Sequence, residues 1–510
     1  MSPVTENKPH QTDPRTFAVR AITMLSQMVL PIAFGAFTIL DEGEIGDIIV
    51  YLVPLAIIII GANILVAYLQ WTRLTYTVNE ADIRVESGLL SRAARSVPYE
   101  RIQDVSLEQK LVPRLFGLVE VQFETGAGGG DDLRLAYLAQ AEGERLRELV
   151  RARRDGVPIS SADGQPDAAE APARVLYQMN PRRVLTFGIF EFSLAVVAVV
   201  AGFASQFDMV LGIEWWNWKS WREELAGPGQ WLAGLGLLAQ VIGVIAALVS
   251  LVVVGVLTGI VRTILREWEF RLERTDKGLR RRRGLLTRTD LVMPVHRVQA
   301  VRLGTGIVRR FFGWHSLRLV SLASDSGSAN HVAVPFAQME EIAPVVGETG
   351  FVLPAADLQW RRAAREYRTD GFVLGFAFMA VASVVLALAG AGAFALLPLA
   401  IGGTLTALHE YLRWRWDRHT LDAVQIYARR GWLAPSTVVA SREKLQSVEL
   451  VRNPLARMRG YADVHFGLAG GRLSIRGLHL EQAKSVRDAA LASMAEQDFS
   501  DVVETGASAP

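Results

Sequence analysis

The sequence predicts an α+β membrane protein in which six transmembrane helices form three hairpins, each followed by a small antiparallel β-sheet and a C-terminal helix. Three observations carry this expectation: a cassette stated three times, six long apolar runs, and a change of hydrophobic period after every second run. The cassette first reads Gly88-Leu89-Leu90, Pro98, Arg101-Ile102-Gln103, Val105, Leu107 and Phe116-Gly117. Adding 196 to each number gives Gly284-Leu285-Leu286, Pro294, Arg297-Val298-Gln299, Val301, Leu303 and Phe312-Gly313. Adding a further 147 gives a weaker copy: Gly431-Trp432-Leu433, Lys444-Leu445-Gln446, Val448, Leu450 and Arg459-Gly460. Register is held over roughly thirty positions without insertion or deletion, so the chain is three copies of one unit.

The apolar runs are 17–40, 45–69, 184–209, 231–264, 371–389 and 391–412. Each is long enough for the about 20 helical residues that cross a bilayer. Residues 41–44 and 390–392 read as brief outer turns, whereas Trp215, Trp216, Trp218 and Trp221 mark a longer loop at the membrane–water interface. Arginines such as Arg15, Arg73, Arg182, Arg266, Arg365 and Arg413 flank one set of helix ends, and carboxylates dominate the other. The positive-inside rule then places both termini and all three repeats in the cytoplasm. Sixteen polar residues precede the first run, so no cleavable signal peptide is expected. Half the residues are apolar and none is cysteine, which excludes disulfides, thiolate metal sites and cysteine nucleophiles.

After the first helix pair the period falls to two. Short alternating runs at 75–78, 83–86, 94–98, 102–109, 118–124 and 133–137 are split by Asn, Asp and Gly, as strands and hairpins require. Residues 140–153 return to helical spacing through Leu146, Leu149 and Val150, and helices at 337–346 and 480–494 close the other copies. The expected organisation is a tail at 1–16, hairpin one at 17–72, repeat one at 73–154, a disordered linker at 155–174 and hairpin two at 175–265. Repeat two follows at 266–348, a linker at 349–370, hairpin three at 371–412, repeat three at 413–495 and a flexible tail at 496–510.

The Gly-Leu-Leu strand end, the Pro-x-x-Arg-[Ile/Val]-Gln-x-Val-x-Leu segment and the later Phe-Gly are similar to those of the bacterial pleckstrin-homology-like domain. Their alternation with helix pairs resembles the membrane-flanking family long catalogued as of unknown function, and the resemblance covers nearly the whole chain. It implies a PH-like β-barrel or sheet with a C-terminal helix in each repeat, in a multi-pass protein of the bacterial inner membrane. Biochemical roles in that family are mostly unassigned, with envelope stress a conjecture. Repeat three departs from the pattern, with Ser441 in place of proline and Lys444 in place of arginine.

Enzyme signals are missing: there is no phosphate loop, no dinucleotide fingerprint and no Ser/His/Asp arrangement, so neither catalytic residues nor cofactors are expected. His296, His315 and His331 are not at metal-ligand spacings. Charge is unevenly placed. Repeat one holds thirteen basic and thirteen acidic residues, repeat two fourteen and eight over 266–346, and repeat three fourteen and seven. Repeats two and three would therefore lie beside an anionic leaflet carrying a positive excess. The densest run is Arg280, Arg281, Arg282 and Arg283. Alternation on a strand sends Arg280 and Arg282 to one face and Arg281 and Arg283 to the other, so the run needs solvent, lipid headgroups or a partner. Topology and solvation explain it on one reading, a headgroup or acidic-partner site on the other. Without interleaved aromatics it does not read as a nucleic-acid site.

Arg101/Gln103, Arg297/Gln299 and Lys444/Gln446 recur as a motif that either binds a ligand or satisfies backbone groups in a bent sheet. Glu191 falls inside the third apolar run, where a carboxylate is a functional candidate by default. The expected role is a non-enzymatic membrane scaffold whose modules bind anionic lipid, acidic protein segments or one another. The alternative is a transporter or export component regulated by its modules.

Overall fold

The computed structural model describes residues 9–41, 53–88, 93–125, 133–154, 173–193, 234, 236–321, 332–355, 357–390, 392–469 and 471–495. The Trp-rich loop, the linker to residue 172 and the turn at 42–44 lie outside them. The chain divides into two compact units: 1–125, 131–273 and 280–292 in the first, 126–130, 274–279 and 293–510 in the second. The border runs through repeat two.

The first unit begins with β1 (His10–Gln11), α1 (Arg15–Asp41) and α2 (Val53–Thr72). Repeat one follows as β2 (Thr75–Val78), β3 (Asp82–Ser87), β4 (Ala93–Pro98), β5 (Ile102–Gln109), α3 (Leu111–Leu115), β6 (Leu118–Thr125), β7 (Leu133–Ala139) and α4 (Gln140–Arg154). Each expected strand is present, shifted by at most two residues. Alternation sets the faces: in β2 and β3, Tyr76, Val78, Ile83 and Val85 are buried and their neighbours are not. These residues join Val105, Val121, Phe123 and Leu135 in one core, closed by Leu146 and Val150 of α4.

The unit continues with β8 (Arg174–Gln178), α5 (Pro181–Phe190), α6 (Leu237–Glu267), β9 (Arg271–Thr275), β10 (Gly278–Arg283) and β11 (Arg288–Met293). Asn180 caps α5 by accepting from Arg183 N–H (2.8 Å), with Pro181 at the first helical position. The expected span 184–209 is not one continuous helix, because α5 stops at Phe190. Ser193 N–H bonds to Gly255 O on α6 (3.1 Å) instead of continuing its own helix. Glycines permit this approach: a Cβ at Gly259 would collide with the Glu191 carbonyl, and one at Gly188 would lie 2.6 Å from the Ile260 backbone. Residues 194–233 fall outside the described segments.

The second unit contains β12 (Val298–Gly304), β13 (His315–Ser321), β14 (Val332–Ala337), α7 (Met339–Glu348) and β15 (Arg361–Arg362). A helix hairpin follows, α8 (Arg365–Leu388) and then a 3-10 turn and a π turn leading into α9 (Gly403–Trp416). Repeat three is β16 (Arg418–Leu421), β17 (Gln425–Arg430), β18 (Ser436–Ser441), β19 (Leu445–Val451), α10 (Pro454–Arg459), β20 (Tyr461–Leu468), β21 (Gly471–His479) and α11 (Leu480–Ala495). Its core gathers Ile426, Ala440, Val464, Phe466 and Leu478 beneath Ala483 and Ala490 of α11. Four of the described helices are long and apolar enough to cross a membrane: Val53–Thr72, Gln240–Glu267, Arg365–Leu388 and Gly392–Trp416.

Strand pairing crosses the repeats. The sheets run β1-β2-β3-β4, β7-β6-β5-β11-β10-β9-β8, β14-β13-β12-β18-β17-β16-β15 and β19-β20-β21. Each seven-stranded sheet thus joins the second half of one repeat to the first half of the next. Its last strand (β8 or β15) comes from the segment before the intervening hairpin. Both junctions are antiparallel and share one register: Thr289 faces Glu108 and Asp290 faces Leu107, while Ser436 faces Gly304 and Thr437 faces Leu303. An arginine fastens each from outside. Arg114 Nη1 donates to Leu285 O (2.7 Å), and Arg310 Nη1, at the equivalent place, donates to Trp432 O (2.5 Å).

Candidate anion-binding site

The arginine run of repeat two is not an open cationic face. Arg281 and Arg283 are buried, at 4% and 7% exposure, and Arg280, Arg282 and Arg283 pair with carboxylates of the same fold. Arg283 donates to Glu267 Oε1 (2.7 Å), the last residue of α6, which is itself 1% exposed. Arg280 forks onto Asp290 with bonds of 2.9 and 2.6 Å, and Arg282 and Arg147 lie 3.4 and 3.8 Å from the same carboxylate. The alternation of faces is as expected. The run expected to need solvent, lipid headgroups or a partner has two carboxylates of its own fold beside it, one sixteen residues before Arg283 and one eight to ten residues after Arg282 and Arg280. Burial alone would raise the Asp290 pKa. The Arg280 hydrogen bonds and charge, with Arg147 and Arg282 behind them, outweigh it and hold the carboxyl below its ordinary value.

In repeat three the same positions are differently equipped. The offset of 147 carries Arg282 and Arg283 to Arg429 and Arg430, but carries Glu267 to Trp414 and Asp290 to Thr437. Those two arginines remain and both counter-charges are gone, while Arg280 and Arg281 give way to Tyr427 and Ala428. A cavity of about 70 Å³ opens there, lined by Arg413, Arg418, Arg429, Arg430 and Arg476 with one carboxylate, Asp417. Asp417 is engaged, accepting from Gly431 N–H (2.8 Å). Arg413 is held by Glu410 (2.6 Å), and its guanidinium lies 5.0 Å from the Tyr367 ring. Burial, then the charges of Arg362, Arg415 and Arg429, push the Arg418 pKa down, and burial with Arg476 does the same for Arg430. Cations crowded in this way are destabilised until an anion joins them.

The cavity sits where both helices of the third hairpin meet the sheet. Trp414 donates from Nε1 to Ala363 O (2.8 Å), with Arg362 and Arg368 5.2 and 4.8 Å from its ring. His419 lines the cavity at 4% exposure, with Nε2 unpartnered among the described atoms. Burial first and Arg361 second push its pKa down to about 4, so the ring is neutral near pH 7. A second cavity, of about 250 Å³, is lined by Arg280, Arg282 and Arg288 with Glu144 and Asp290, a much smaller excess of positive charge.

The recurrent glutamine has a structural place. In β5, β12 and β19 the register shifts at Gln103, Gln299 and Gln446, so each is the extra residue of a β-bulge. A bulge bends a strand and increases its twist, which a small closed sheet needs. Gln299 is buried and donates from Nε2 to Arg297 O (3.2 Å), whereas Gln446 is exposed. Backbone satisfaction therefore accounts for the second copy and not the third. Arg101 is exposed, Arg297 half-buried, and Lys444 donates to Val298 O (2.7 Å). The motif glycine has an equally local cause: Gly284 takes φ of 113°, and a Cβ there would collide with the Thr287 carbonyl. Glu191 ends α5, and nothing described gathers other carboxylates to it as an ion path. Among the described residues no three His, Asp or Glu side chains come together to hold a metal ion.

Comparison with known proteins agrees with this architecture. The family model for the bacterial PH domain matches three times, at residues 32–154, 233–348 and 369–494. Over 262 residues the chain is 25% identical to the UPF0699 transmembrane protein YdbT of Bacillus subtilis (strain 168). The match covers 50% of each chain, so it spans about half the length of that curated relative.

Proposed function

The chain belongs to the bacterial PH domain family, and from that premise we propose a non-enzymatic membrane protein whose third repeat binds anionic lipid headgroups at the leaflet it adjoins. One observation carries this reading: at the membrane end of repeat three Arg429 and Arg430 keep the places of Arg282 and Arg283, while the carboxylates that pair with those two in repeat two become Trp414 and Thr437. The setting is a bacterial inner membrane crossed six times, with both termini and all repeats in the cytoplasm, where anionic lipid is concentrated. Trp414 at the helix end and the arginines around it then stand at headgroup level.

The test uses the full chain in nanodiscs of zwitterionic lipid, titrated calorimetrically with a short-chain anionic phospholipid and its zwitterionic counterpart. Anionic lipid is expected to bind more tightly, with affinity falling as salt rises. At about 1 kcal/mol for each basic residue at such a surface, removing two costs about 2 kcal/mol. Arg418→Ala with Arg429→Ala should therefore lose about 30-fold in affinity. Arg472→Ala, which removes one charge from an exposed side chain elsewhere in the repeat, should lose little. Equal binding of both lipids, or equal loss from Arg472→Ala, sinks the reading and turns the search to acidic protein segments.

A further inference from the structure

The four sheets have four, seven, seven and three strands. In strand order the first and last correspond to the two halves of a seven-stranded sheet. At the front of the chain, β1 to β4 reproduce β8 to β11 and β15 to β18, but the outer edge of β4 has no partner strand among the described residues. At the back, β19 to β21 reproduce β5 to β7 and β12 to β14, and the outer edge of β19 is likewise unpaired among the described residues. We propose that β4 of one copy of this chain pairs with β19 of another, a head-to-tail junction repeating the two junctions inside each chain. The proposal is independent of headgroup binding.

The internal junctions fix the register. Shifting both by the repeat offsets sets Ala93 opposite Val451, Ala94 opposite Leu450, Ser96 opposite Val448 and Val97 opposite Ser447. Arg95 then falls directly opposite Glu449, so among the described residues of the two strands the facing charges have opposite signs. The two edges are more open than their internal counterparts. Ala300 and Val301 of β12 are buried at 0% and 1%, whereas Ser447 is exposed and Val448 half-buried. In β4 only Val97 is buried, against three residues in both β11 and β18. The fastening arginine is present too: Arg457 on α10 is the third copy of Arg114 and Arg310. It is exposed, and its guanidinium has no partner among the described residues. An unpaired strand edge is a template for another strand, and here the complementary strand is carried by the same chain. Such an interface is heterologous, so it builds a ring if the rotation closes and an open row along the membrane if it does not.

The absence of cysteine makes the test direct. Full-length Ala93→Cys and Val451→Cys proteins, both altered at exposed positions, are purified separately in detergent, mixed and mildly oxidised. The mixture should give a disulfide-linked dimer that neither protein gives alone, and Ala93→Cys with Leu450→Cys, one residue out of register, should give far less. Glu449→Arg in the Val451→Cys background should abolish most of the dimer, and Arg95→Glu in the other copy should restore it. A mixture no better linked than its separate components overturns the proposal. So does a doubly substituted chain that links only within itself, since β4 and β19 would then close the sheet inside one molecule.

Discussion

Glu267→Ala is expected to destabilise the first unit by about 3–5 kcal/mol, the cost of leaving a buried charge without its partner. Glu267 is 1% exposed and takes a 2.7 Å hydrogen bond from Arg283, itself 7% exposed, so water cannot replace the lost carboxylate. Arg266 bonds the same oxygen at 2.7 Å but is more open and can turn to solvent. The pair also joins the end of a membrane helix to β10, and its loss loosens the attachment of sheet to span. Thermal unfolding of the detergent-solubilised chain would show the effect as a lowered apparent melting temperature. Glu267→Ala with Arg283→Met should recover most of it, because replacing both members of a buried pair is far less costly than removing one. If the double variant is as unstable as Glu267→Ala, the ion pair is not the cause.

Asp290→Asn should cost about 3 kcal/mol, and the cost should appear at the junction of repeats one and two. Asp290 sits on β11 opposite Leu107 of β5 and collects Arg280, Arg282 and Arg147, the last from α4 of the preceding repeat. An amide would leave three guanidinium groups crowded without a counter-charge. Amide hydrogen exchange in β5 and β11 should accelerate about 100-fold, with β20 and β21 in the other unit unchanged. The carboxyl's pKa is lowered in the fold, so its contribution is fully present above the ordinary carboxylate value of about 3.9. It is lost as pH falls through the lower folded value, and the wild-type and Asp290→Asn proteins should converge in stability there. Uniform acceleration across both units would contradict a role confined to this junction.

Much of the fold is legible in the sequence because its signals are local. Period two sets which side of β2 or β3 faces inward, and turn residues bound the strands. Strand partnership is another matter. Alternation tells β5 which face is core but carries no information on whether its edge meets β4 or β11, so the exchange between repeats has no periodic signature. The arginine run misleads for a related reason: Glu267 and Asp290 lie on a helix end and a neighbouring strand, brought in by packing. Glu191 stops a helix because α6 offers glycine-lined backbone beside it, a property of another segment. The cavity of repeat three does have a signal. Superposing the repeats shows where residues differ, and Trp414 and Thr437 in place of two acids mark it more sharply than the positions that match.

The shared sheets also impose a schedule on synthesis. Gln109 pairs with Arg288, so β5 waits for a strand made 179 residues later. At about 5–20 residues per second this is roughly 9–36 seconds of translation. On the six-span topology proposed above, the second helix hairpin is made during that interval, and β11 reaches β5 on the proper side only if that hairpin has entered the membrane and returned. Completion of each soluble sheet is thus a checkpoint on the membrane insertion before it. A copy with a mis-inserted hairpin would expose an unfinished strand edge to the cell's proteases and chaperones.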